Sequence, residues 1–162
     1  MTVIIGIDPG SRRTGYGVIR LEGNRHIYVT SGHLDVSAHC VSERLRRIYL
    51  GIREVMMTFE PHEAAVEEVF MHENPNSALK LGQARGAAIV ALTVPVAEYS
   101  AREIKKSVVG HGGAAKDQVQ FMVKRLLNLK TTLQADAADA LAVALCHAQA
   151  RGLKKLLAEG RA

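Results

Sequence analysis

The run Val3-Ile4-Ile5-Gly6-Ile7-Asp8-Pro9-Gly10 constrains this chain more than any other stretch. β-Branched residues crowd it, so it reads as a short strand buried on both faces. Pro9-Gly10 breaks it as a turn. Asp8 lies inside this apolar run, where an ionised carboxylate is costly unless something compensates its charge. A metal cation would do so. The alternative is a turn cap, with Asp8 accepting hydrogen bonds from the amides of Gly10 or Ser11. The two readings separate only if other acids converge on Asp8.

Thr14–Leu21 and Arg25–Leu34 are rich in strand formers, with Gly23-Asn24 between them. Three strands joined by short turns imply an antiparallel start to a sheet. Gly15 and Gly17 weaken a strand interior, which points to another group approaching closely there. From Ser42 to Phe59 the apolar period changes to three and four residues, the mark of an amphipathic helix with Ser42 as its N-cap. Glu60-Pro61 stops it. Glu63–Val69 reads as a strand and Phe70–Pro75 as a loop. Ser77–Leu92 is a helix rich in small residues, suited to close packing on the sheet or on another subunit. Val94–Tyr99 is a strand, and helices follow at Ala101–Ser107, Lys116–Leu127 and about Ala135–Ala150. The order β-β-β-α-β-α-β-α-α-α implies an α/β fold with a mixed sheet, antiparallel first and parallel afterwards. Residues 151–162 form a short basic tail expected to fray.

Three further acids stand out. Glu67 ends the strand that follows the first helix, and it neighbours Asp8 if the two strands pair. Glu68 falls on the opposite side by alternation. Asp136 and Asp139, three apart near the start of a helix otherwise made of Ala, Leu and Val, share one face. Acids at a helix N-terminus also complement the macrodipole, which is their commoner role. Together, however, four buried like charges cannot all stay ionised without cations. Oxygen ligands with no His or Cys partner suit Mg2+ or Mn2+. Such a cluster can hold two metals ~3.5–4 Å apart, the arrangement used in phosphodiester chemistry.

The formal net charge of +5 favours a polyanionic partner. Lys105, Lys106 and Lys116 flank the loop Gly110-His111-Gly112-Gly113, and Lys80 and Arg85 lie on the helix after Phe70. Each is ordinarily a solvated charge, but around an acid cluster such cations would hold phosphates. Phe70, in a polar loop next to Glu67, would fold into the core or stack on a base. No apolar run reaches the ~20 residues of a membrane helix, and no signal peptide is apparent. Cys40 and Cys146 fit no metal or disulfide pattern, so a cytoplasmic location is expected.

Four segments carry a resemblance to a known family: GIDPGSRRTGYGVI at 6–19, EEVFMHENPNSALKLGQARG at 67–86, KKSVVGHGGAAKDQV at 105–119 and QADAADALA at 134–142. In this order and spacing they resemble the RuvC Holliday-junction resolvases. The resemblance implies a single RNase H-like domain over 1–150 with a five-stranded sheet flanked by helices. It implies a homodimer that cuts four-way DNA junctions by paired symmetric nicks, beside a branch-migration motor. Asp8, Glu67, Asp136 and Asp139 would be the catalytic, metal-binding acids. Phe70 would engage a base near the crossover, and Lys105 and Lys116 would contact DNA or support cleavage. The helix with SALKLGQARG would contribute to the dimer interface.

A ribonuclease H or another nuclease of the same fold is the nearest alternative. An actin-like or sugar-kinase-like ATPase also opens with a strand, an Asp and a glycine turn, but needs two related domains. A junction-binding protein without catalysis would leave the four acids structural.

Overall fold

Alternation along the first strand sets the layering of the molecule. The computed structural model describes residues 1–69 and 74–160, without the side chains of 154–159. Its elements are β1 (Thr2–Asp8), β2 (Arg13–Glu22), β3 (Arg25–Asp35), α1 (Val41–Phe59), β4 (Glu63–Glu67), α2 (Pro75–Ala91), β5 (Val96–Tyr99), α3 (Ala101–Val109), α4 (Lys116–Leu126) and α5 (Ala135–Glu159). They follow the expected order. The sheet runs β3-β2-β1-β4-β5. β1 is antiparallel to β2, and β2 to β3, while β1–β4 and β4–β5 are parallel.

Ile5, Ile7, Ala64 and Val66 face one way and pack with Ile48, Ile52, Ala84 and Ala88 of α1 and α2. Ile4, Ile19 and Ala65 face the other way and pack with Leu141, Ala144 and Leu145 of α5. By the same alternation Asp8 and Glu67 belong to the α5 face. α3 and α4 cover the far side of α5, which is why that helix is apolar nearly all round.

The glycines of β1 and β2 seat α5. A Cβ on Gly15 would overlap the Asp136 carbonyl oxygen, one on Gly6 the Ala140 carbonyl, and one on Gly17 the Leu141 side chain. This is the close approach that Gly15 and Gly17 signal in sequence. The helix backbone lies almost directly on the sheet, which fixes the height of its first turn above Asp8.

The boundaries depart from expectation at several elements; β5, for one, begins at Val96 rather than Val94, and α3 ends at Val109 rather than Ser107. α1 begins at Val41 with Cys40 as N-cap, not Ser42, and no side chain caps it. α5 does not end near Ala150 but runs to Glu159, and Arg151, assigned to the tail from sequence, grips Glu63 through Nη2–Oε1 at 2.6 Å and Nε–Oε2 at 2.9 Å. β4 stops at Glu67 rather than Val69, although the Glu68 amide still donates to the Tyr99 carbonyl at 2.8 Å.

Candidate active site

The parallel register pairs Ile7 with Val66. One step further Asp8 and Glu67 stand side by side at the carboxyl ends of adjacent strands, with their carboxyl groups in hydrogen-bonding contact. α5 brings Asp136 and Asp139 over them. Burial, reinforced by the charges of Glu67, Asp139 and Asp136, pushes the Asp8 carboxyl up to about 8. Burial also raises Glu67 and Asp139, against the pull of nearby lysines. The turn-cap reading of Asp8 meets a competitor at Gly10, whose amide donates to Thr14 Oγ1 at 3.4 Å. Thr14, fully buried, donates back to the Gly10 carbonyl at 3.1 Å and closes the turn on itself.

Two hollows flank the acids. One, of about 220 Å³, is lined by Glu67, Asp139, Lys105 and Lys116 over an apolar floor that includes Ile104 and Val119. Lys116 Nζ lies 3.2 Å from Asp139 Oδ2, with its side chain 66% exposed. The other, of about 460 Å³, is lined by Asp136, Ser37 and the turn from Gly10 to Arg13. Lys105 and Lys116 therefore lie beside the acids, in the first hollow. Lys80 is exposed on α2 beside a small groove with Ser11 and Arg44, and Lys106 is exposed in the last turn of α3. Neither lines the hollows beside the acids. Arg85 departs from the expectation of a DNA contact: its guanidinium is engaged by the Glu98 carboxylate and the Glu67 carbonyl. Phe70 lies outside the described residues.

Some contributors escape sequence reasoning. Gln134 accepts from the Ala137 amide at 3.1 Å, capping α5, and donates from Nε2 to Asp136 Oδ2 at 2.7 Å. Its signal is a Gln three residues ahead of the amide that it caps. Arg12 and Arg13, which follow the turn directly, line the second hollow.

The donor chemistry fits hard divalent cations: four carboxylates, three of them held above their ordinary range by burial and one another. Among the described residues no three acidic, His or Cys side chains are already drawn into one metal-sized set. Asp139 is turned to Lys116 and Asp136 to Gln134.

A mixed sheet with acids at the ends of two adjacent strands and on the helix crossing them defines an RNase H-like nuclease class. The family described as crossover junction endodeoxyribonuclease RuvC matches residues 4–147. The RuvC protein of Tolumonas auensis is 59% identical over 91% of this chain and 87% of its own. That of Acinetobacter baumannii is 58% identical over 94% of this chain and 86% of its own. Among solved structures, Thermus thermophilus RuvC in complex with Holliday junction substrate is 38% identical, covering 91% of this chain and 93% of its own, with a TM-score of 0.85. The chain belongs to the RuvC family of crossover junction endodeoxyribonucleases, which are metal-dependent nucleases.

Proposed function

We propose that this chain resolves four-way DNA junctions by paired symmetric nicks, with Asp8, Glu67, Asp136 and Asp139 as catalytic acids. The observation that carries the reading is the convergence of these four carboxylates in a chain of this family. Asp8 and Glu67 come from rigid adjacent strands, and Asp136 and Asp139 from a helix seated on glycines. The set is thus placed by backbone rather than by mobile loops. Asp8, Glu67, Asp136 and Asp139 would hold two Mg2+ ions, or Mn2+ in their place, which would supply an activated water and charge stabilisation for the leaving 3′ oxygen. Lys105 and Lys116 hold the phosphates that the acids alone would repel. Phe70, three residues after Glu67 in the sequence, engages a base near the crossover, and Lys80 and Lys106 add positive charge for the DNA.

The protein acts as a homodimer in the cytoplasm, beside a branch-migration motor. Supporting the dimer, Leu79 and Val90 of α2 are 64% and 72% exposed, and Gly82 and Gly86 between them have open space at the Cβ position. A second helix can pack closely along such a stripe. Among the described residues no helix is long and apolar enough to cross a membrane.

The test is cleavage of end-labelled four-way junctions by wild type and Asp8→Asn, with Mg2+ and with EDTA. Linear duplex and an RNA–DNA hybrid serve as comparisons. Symmetric cutting of the junction alone, with a variant that binds but does not cut, is expected. Cutting of the hybrid would identify a ribonuclease H instead, and an active Asp8→Asn would remove the acid cluster from the chemistry.

A further inference from the structure

β4 ends abruptly at a residue the chemistry needs. Val66 is its last residue in register with β1. On the other side, the Glu68 amide donates to the Tyr99 carbonyl of β5 at 2.8 Å. Between these two anchors the Glu67 carbonyl accepts from Arg85 Nε, at a long 3.4 Å. Arg85 lies 18 residues further along, on α2, so it reaches Glu67 from the sheet face opposite α5. Its Nη2 is ion-paired to Glu98 of β5, which sits across from Val66 in the ladder. The Arg85 side chain is only 19% exposed, against 66% for Lys116.

We infer that Arg85 is a positioning residue: held by Glu98, it fixes the Glu67 peptide so that the Glu67 carboxylate points at Asp8 and α5. The inference rests on the reading of Glu67 as a catalytic acid. A guanidinium is the group for this task. It presents several donors in a rigid fork, so one can hold a carbonyl while another holds a carboxylate. Lysine, with a single flexible ammonium, holds either group but not both in that geometry. The brace also joins the helix that carries the exposed Leu79–Val90 stripe to the active acid, so displacement of α2 is transmitted to Glu67. A misplacement of about 1 Å at a reacting group costs on the order of 100-fold in rate.

The alternative role, a direct phosphate contact, predicts opposite results. Arg85→Gln, Arg85→Lys, Glu98→Gln and Glu67→Gln are compared in the full-length protein by three measurements. These are junction affinity in EDTA as a function of salt, single-turnover cleavage at saturating junction, and the Mg2+-dependent thermal shift without DNA. Positioning predicts that Arg85→Gln cleaves roughly 10–100-fold more slowly and needs several-fold more Mg2+ for the thermal shift. Its junction affinity and salt slope stay at wild type. Arg85→Lys recovers part of the rate, and Glu98→Gln slows cleavage without tightening binding. A phosphate contact predicts that Arg85→Gln lowers the salt slope by about 0.9. It also predicts that Glu98→Gln, by releasing the arginine, binds the junction more tightly. Either of those results overturns the inference, as does an Arg85→Gln variant with wild-type rate and Mg2+ response. If Arg85→Gln does not fold, Glu98→Gln and Arg85→Lys decide by the same signs. If Glu67→Gln cuts normally, the acid assignment has failed rather than the brace.

Discussion

Glu63 and Glu67 are the same residue type, at opposite ends of one short strand, facing the same helix, and their surroundings differ completely. Glu63 meets His147 Nε2 at 2.7 Å and the Arg151 guanidinium at 2.6 Å, and Arg151 holds its carboxyl below the usual range. His147 is buried and carries Tyr99 Oη on its other ring nitrogen at 2.8 Å. Glu67 instead meets Asp8, with Asp139 close by, and burial holds it above the usual range. α5 supplies both environments: its first turns bring acids to one end of β4, and its middle turns bring a histidine and an arginine to the other. A compensated carboxylate strengthens the fold. Like charges crowded together without full compensation weaken the fold and mark where a cation and a substrate are to bind.

The sharpest way to break this comparison is to neutralise one acid at each end. Asp8→Asn is expected to lower cleavage by roughly 100–1000-fold or more while leaving junction binding intact, as read by single-turnover cleavage and gel shift. The same change should stabilise the metal-free protein by about 1 kcal/mol, or roughly 2–4 °C in Tm, because the native carboxyl must either be buried charged among like charges or take up a proton on folding. Gly15→Ala forces the first turn of α5 off the sheet at Asp136. It is expected to cost about 1–3 kcal/mol and on the order of 100-fold in cleavage, showing that the acid end depends on the seat of the helix. Arg151→Ala, at the compensated end, should lose about 1–2 kcal/mol of stability in thermal melts, an ion pair one-third exposed being worth less than a buried one. Its cleavage rate should stay at wild type. A loss of activity there would show that the two ends are not independent.

The two ends also differ in their pH dependence. Asp8 has its carboxyl raised from 3.8 to about 8 in the folded chain. The folded state therefore binds more protons than the unfolded state between those values, and metal-free stability falls as pH rises from about 4 to 8. Glu63 is lowered, so its contribution is present above the unfolded value of 4.5 and is lost as pH falls through the folded value. Thermal melts in EDTA should show the first slope flatten in Asp8→Asn, leaving the part that Glu67 and Asp139 contribute, and the second persist.

Much of the acid site was legible because period-2 alternation assigns faces without knowledge of partners. Asp8 and Glu67 follow from where two apolar strands end, and Asp136 and Asp139 from a three-residue spacing on one helix face. Gly15 and Gly17 likewise announced a close neighbour. The protein partners of Arg85 escaped sequence reading because they lie 13 and 18 residues away on two different strands, and nothing in its own helix indicates them. Arg151 was placed in a fraying tail for the same reason: it meets Glu63 across 88 residues of chain.

The sequence by itself determined the element order, the mixed sheet, the four candidate acids and the family, because local period, turn residues and motif spacing are properties of neighbouring residues. Only the tertiary structure decided which carboxylates were compensated, which cations were engaged with the protein, and how far the last helix ran. Those outcomes depend on charges meeting across the sheet, and the energy of an ion depends on what surrounds it rather than on what precedes it in the chain.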